Sequence, residues 1–211
     1  MLGLLLRGSA LLLLLSLLPA PGRAQDPAVV DSLTRQLRRA TADSMRAKYS
    51  LLLSAQYQAS DTARTHYHLL QALRWSRHGG YALGEAQTLV NLGTFYNLLG
   101  QDVRAHACYR SARAGLERLS RQRPTRKVLQ SLASVSVNEG TLLAKQGDFA
   151  GEVATYLLGA RYASQLGDSA LLGSIYYNVG CRFGVLAQPD KANTTGGGPP
   201  RCRSRPPLRP I

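Results

Sequence analysis

The run Asn91-Leu92-Gly93-Thr94-Phe95-Tyr96, followed by Gly100, Ala105, Tyr109 and Ala112, constrains the fold more than any other part of this sequence. Glycine, small residues and aromatics at these spacings fall on the faces through which two antiparallel helices pack closely. The pattern recurs. Asn138-Glu139-Gly140 leads to Leu143, Gly147, Tyr156 and Gly159, and Asn178-Val179-Gly180 leads to Phe183 and Ala192. The motif glycines stand at 93, 140 and 180, so they are 47 and 40 residues apart. Self-similarity at such a period marks a repeat architecture, in which each unit covers the apolar face of the next.

Helix starts and stops can be placed between the motifs. Asp26-Pro27 reads as an N-cap with proline at the first helical position, and Val29, Val30, Leu33 and Leu37 predict an amphipathic helix to about Thr41. Asp43 is expected to cap a helix running through Tyr57. Asp61 is expected to cap another that ends at Gly79-Gly80, with Ala63 and Tyr67 repeating the spacing of Ala105 and Tyr109. Helices are expected from about Ala82 to Leu99 and from about Asp102 to Ser120. At Gly147-Asp148 and Gly167-Asp168 glycine stops one helix and aspartate starts the next.

These residues resemble the tetratricopeptide repeat family, whose units are helix-turn-helix pairs stacked into a solenoid. The resemblance covers roughly Asp43 to Ala192, and its period is longer than the ~34 residues usual for such repeats. It implies an all-α solenoid of antiparallel helix pairs at 43–78, 82–120 and 126–166, a partial pair at 169–192, and one preceding helix within 25–42.

Both ends differ in composition from this region. Met1–Leu6 and Ala10–Leu18 are apolar around Arg7, Pro19 and Pro21 break the run, and Gly22-Arg23-Ala24 supplies small residues, so 1–24 reads as a secretory signal peptide. The rival reading is an uncleaved anchor helix at the lower length limit for a membrane span. Removal of the signal implies a periplasmic or extracellular protein with no stable membrane span. Residues 193–211 are rich in Gly, Pro and Arg and are expected to be disordered. Their position after an interrupted third repeat raises the expectation of a truncated or frame-shifted end.

The formal net charge is +14, carried mostly by arginine, and Arg7, Arg23, Arg201, Arg203, Arg205 and Arg209 lie outside the repeats. The densest remaining group is Arg110, Arg113, Arg118, Arg121, Arg123, Arg126 and Lys127, read as solvated cations near a helix C-terminus. An exported chain points away from nucleic acid. Three cysteines, an odd count, argue against a disulfide framework. Cys108 and Cys181 are expected to be buried and unpaired, and Cys202 incidental.

Nothing in the sequence has the spacing of a catalytic, cofactor or metal site. His66 and His68 are two apart on a helix, His106 and Cys108 likewise, and there is no HExxH, paired CxxC or GxxxxGK. No enzyme, cofactor or metal is expected. Two departures from the repeat pattern stand out. Glu139 takes the place of Leu92 and Glu152 that of Ala105, so each carboxylate must either open to solvent or find a donor, with Arg161 a candidate.

In the tetratricopeptide family, first helices line the concave surface. That resemblance implies a groove of Val90, Thr94 and Asn97, then Val137, Thr141 and Lys145, then Tyr177, Cys181 and Val185. Lys145 and Asn97 resemble part of the family's clamp for a peptide C-terminus. The expected function is an exported, non-catalytic scaffold for protein or peptide partners, resembling the N-terminal repeat region of bacterial tetratricopeptide sensor histidine kinases. The alternative is a self-standing periplasmic binding module, and an enzyme with an unrecognised site is the remote third. The last helix is expected to expose Ile175, Val179, Phe183 and Leu186 and so to self-associate at the C-terminal edge.

Overall fold

The computed structural model describes residues 26–187, with side chains described as far as Cys181. The signal peptide expected over 1–24, the tail expected over 193–211 and the side chains of Phe183, Val185 and Leu186 lie outside the described residues. Every described element is an α-helix: α1 (Pro27–Arg39), α2 (Asp43–Tyr57), α3 (Thr62–His78), α4 (Ala82–Leu98), α5 (Asp102–Gln122), α6 (Arg126–Gln146), α7 (Phe149–Leu166) and α8 (Ser169–Ala187). The chain is all-α, with consecutive helices packed on one another as a helical repeat solenoid requires. Contacts divide it into two units, up to Thr88 and from Leu89 onward, with the boundary inside α4.

The helix ends follow from local chemistry. Asp26, Asp61, Asp148 and Asp168 accept from backbone N–H groups at 2.8–3.0 Å, satisfying donors that a helix start leaves unpaired. Gly147 and Gly167 take φ of 78° and 66°, a left-handed conformation that costs glycine no Cβ clash. Behind them Asp148 N–H and Asp168 N–H return to Leu143 and Ala163 carbonyls, closing each helix end. Asp43 is the first residue of α2 rather than its cap. Its carboxylate instead takes Arg46 at 3.1 Å and His78 at 2.5 Å, pinning the start of α2 to the end of α3.

In the first unit α2 buries Ala47, Ser50, Leu53, Ser54 and Tyr57. α3 buries Thr65, Leu69, Ala72 and Ser76, while Tyr67 is 58% exposed and Ala63 lies at the surface. The expected match of Ala63 and Tyr67 to Ala105 and Tyr109 is therefore corrected by one face of the helix. The true equivalents are Thr65, Leu69, Ala72 and Ser76, which share their spacing with Ala105, Tyr109, Ala112 and Leu116 on α5 and with Glu152, Tyr156, Gly159 and Ala163 on α7.

In the second unit the motif glycines explain themselves. A Cβ on Gly93 would lie 2.4 Å from the Tyr109 ring, and one on Gly140 would lie 2.8 Å from the Tyr156 ring. Each tyrosine crosses its glycine and continues to the next residue: Tyr109 donates to the Thr94 hydroxyl at 3.3 Å, and Tyr156 shares a hydrogen bond with the Thr141 hydroxyl at 3.2 Å. Gly180 carries the same motif without the same contact, since nothing lies within 4 Å of the Cβ position there. Leu53 and Leu69 occupy the corresponding places of the first unit, two medium side chains where the second unit has none and a large one.

Both unusual glutamates are inside. Glu139 is 8% exposed and pairs with Arg113 of α5, not with Arg161, because the long α5 brings the guanidinium across to α6. Glu152 is 1% exposed and stands in the first turn of α7, where the helix macrodipole favours an anion. Ile175 and Val179 are buried against Tyr156, Ala160 and Ala163, which corrects their expected exposure at the C-terminal edge. Among the described large apolar side chains of α8, Tyr176 and Tyr177 are exposed.

Gly93→Ala is expected to destabilise the chain by about 1–2 kcal/mol in urea unfolding, overpacking against Tyr109 exceeding the helix preference of alanine. Gly173→Ala, on α8 with open space around it, is expected to stabilise by about 0.5–1 kcal/mol.

Candidate functional site

α4 and α6 present to each other the residues that the repeat pattern places in a groove. Thr94 is half-buried and saturated. Its hydroxyl donates to the Val90 carbonyl at 3.2 Å and accepts from Tyr109 and from Asn138 Nδ2, each at 3.3 Å. The last of these ties α6 to α4. Burial pushes the Tyr109 phenol up, against the opposing effect of hydrogen bonds with Thr94 and Asn97.

Two turns further on, Lys145 makes a second tie. Its ammonium donates to the Asp102 carboxylate at 2.9 Å and to the Asn97 carbonyl at 3.5 Å. The Lys145 hydrogen bond holds the Asp102 carboxyl below its ordinary value of 3.8, with Gln146 and His106 acting in the same direction. His106 Nε2 in turn meets Gln146 Oε1 at 3.0 Å. A lysine so engaged is a brace between helices first, and only the half of it that remains exposed can meet a ligand.

The expected groove residues therefore separate. Thr141 is exposed, Asn97 and Val137 are half-buried, and Tyr177 is 40% exposed. Val90 is 7% exposed and belongs to the core, a correction that follows from the wide buried arc of α4, which also takes in Leu89, Leu92, Gly93 and Phe95. Cys181 is half-buried and disulfide-bonded rather than unpaired, whereas Cys108 is free, half-buried, and has its thiol pushed up by burial.

Among the described residues no group of three or more His, Cys, Asp and Glu side chains could hold a metal ion. His68 stacks on Tyr57 with ring centroids 5.5 Å apart, and burial holds its pKa below the ordinary 6.5. No described helix is long and apolar enough to cross a membrane.

The first unit contains a feature that the repeat motifs do not mark. A half-open cavity of about 310 Å³ lies between the first turns of α2, the end of α3 and the start of α4. Met45, Leu51 and Tyr81 form apolar walls, Ser76 and Gly84 lie deep, and Lys48 stands exposed at the mouth. The lining comes from three helices and the turn at Tyr81, so no local pattern announces it.

Replacing Lys145 by Met leaves Asp102 without its main donor. Because the Asp102 pKa is depressed in the folded chain, the contribution of this pair is complete above pH 3.8 and fades as pH falls through the lower folded value. The stability difference between the native chain and the Lys145→Met variant is expected to be present at pH 6 and to close in that acid range, as followed by circular dichroism during urea unfolding.

No protein-family model matches the chain, and no curated protein matches it. Among solved structures it is similar to that described as the crystal structure of BtubC (BKLC) from P. vanneervenii, with a TM-score of 0.62 and 19% sequence identity. The likeness covers 88% of this chain and 79% of that one. At this identity it concerns the fold alone.

Proposed function

We propose that the chain is an exported, non-catalytic scaffold of tetratricopeptide-like repeats that binds a protein or peptide partner, as the sensor or interaction region of a signalling protein. The repeat assignment is supported by the glycine, threonine and tyrosine clasp, which returns after 47 residues at Gly93, Thr94, Tyr109 and Gly140, Thr141, Tyr156. The observation that carries the binding role is the cross-bracing of α4 and α6. Thr94 to Asn138 and Lys145 to Asn97 fix two first helices against each other. Thr141 and Tyr177 remain outward on a surface that has little conformational freedom left to lose on binding.

Peptides selected from a displayed library on residues 25–187 supply the test. The double variant Thr141→Ala, Tyr177→Ala is expected to bind them at least tenfold more weakly, while Val103→Ala, an exposed change on α5, binds as the native chain does. Equal binding by all three proteins overturns the assignment of this face. Export is checked separately by the mass of the protein recovered from outside the producing cytoplasm, expected to begin at Gln25.

A further inference from the structure

Hydroxyl side chains in this fold return to their own helices. Thr88, Thr94, Ser131, Ser136 and Thr141 each donate to the carbonyl four residues back at 2.8–3.2 Å. Ser76 does not. It is fully buried, its Oγ has no hydrogen-bond partner, and it lines the cavity of the first unit. The Oγ lies 3.0 Å from the position a Cβ would take on Gly84, with the ring of Tyr81 laid across the same glycine. A desolvated hydroxyl beside an aromatic wall is a waiting hydrogen-bonding group, because water's contribution has been removed and nothing in the protein replaces it.

The mouth has the opposite character. Lys48 is exposed and makes no ion pair among the described residues. The nearest acidic residue in sequence, Asp43, is held by Arg46 and His78, and Glu85 is held by Arg77 at 2.8 Å. The first turn of α2, whose Ser44 and Met45 line the cavity, has no side-chain cap on its free N–H groups, which adds positive potential at the same end.

We propose that this cavity binds a small hydroxyaryl carboxylate. The ring lies between Met45, Leu51 and Tyr81, the hydroxyl bonds Ser76 Oγ at depth, and the carboxylate faces Lys48 at the mouth. A cavity of about 310 Å³ stands at the small end of the ~300–1,000 Å³ usual for ligand sites, which fits one ring and a short acid arm. A site with a buried hydrogen-bonding group discriminates strongly against an analogue lacking the matching hydroxyl, because the protein group is then left unpaired. This ligand is distinct from any partner on the second unit.

Calorimetric titration with three probes tests the proposal: 3-(4-hydroxyphenyl)propionate, 3-phenylpropionate and 3-(4-hydroxyphenyl)propionamide. The native chain is expected to bind the first at least tenfold more tightly than either of the others. Ser76→Ala is expected to abolish the preference for the hydroxyl, Lys48→Gln the preference for the carboxylate, and Ser44→Trp, at the rim, all binding. Circular dichroism identifies any variant that has not folded. Absence of binding to the native chain at millimolar probe, or binding whose preferences survive both Ser76→Ala and Lys48→Gln, overturns the proposal. Neither result bears on peptide binding through Thr141 and Tyr177.

Discussion

A tyrosine ring laid over a glycine sets the spacing of helices in the second unit. With no Cβ at Gly93 or Gly140, the Tyr109 and Tyr156 rings reach across the first helix of each pair. Their phenols then bond the threonine beside the glycine. The burial of Ala105, Ala112 and Leu116 on one helix, and of Gly159 and Ala163 on the other, follows from that close approach. Thr94 carries the effect further, since the same hydroxyl receives Asn138 from the next first helix. One side chain thus joins the packing within a pair to the packing between pairs.

The arrangement also explains why polar residues expected to meet a partner are partly occupied. Threonine and lysine on the first helices hold α4 and α6 in register before they can hold anything else. The Arg113–Glu139 pair works in the same direction. An ion pair inside a helical stack adds little net stability against apolar residues of the same shape, but loss of one partner costs about 3–5 kcal/mol, so it penalises misaligned packing of α5 on α6. What remains outward, Thr141 and Tyr177 on the second unit and the Lys48 cavity on the first, is presented by helices that are already fixed.

The glycine and tyrosine of the clasp were legible in the sequence because they lie at constant separations on two adjacent helices, where periodicity alone reports faces, whereas Thr94 and Thr141 read as groove residues and their bonds to the tyrosines were not legible. The same logic misplaced the first unit. Ala63 and Tyr67 imitate the spacing of Ala105 and Tyr109, yet Leu69 holds the equivalent buried place without an aromatic ring, and Leu53, also buried, stands where the sequence spacing would put the glycine. Arg113 as the partner of Glu139 depended on the relative register of α5 and α6, which no spacing within either helix encodes. Val90 read as groove because the resemblance to tetratricopeptide repeats places that first-helix position on the concave surface, but α4 is covered over an arc wide enough to include it. The cavity was illegible for a different reason: Ser76, Gly84 and Lys48 come from three helices, and the informative property of Ser76 is a hydrogen bond it does not make.

The account stands on the coupling between glycine and tyrosine, and a double-mutant cycle measures it most directly. Unfolding free energies would be compared for Gly93→Ala in the native background and in Tyr109→Leu, which restores the leucine found at Leu69, and likewise for Gly140→Ala with Tyr156→Leu. The prediction is that each alanine is destabilising beside tyrosine and becomes neutral or stabilising by up to about 1 kcal/mol beside leucine, with the same sign of coupling in both pairs. An equal cost of alanine in both backgrounds would contradict the claim that the ring over the glycine sets the spacing of the repeats.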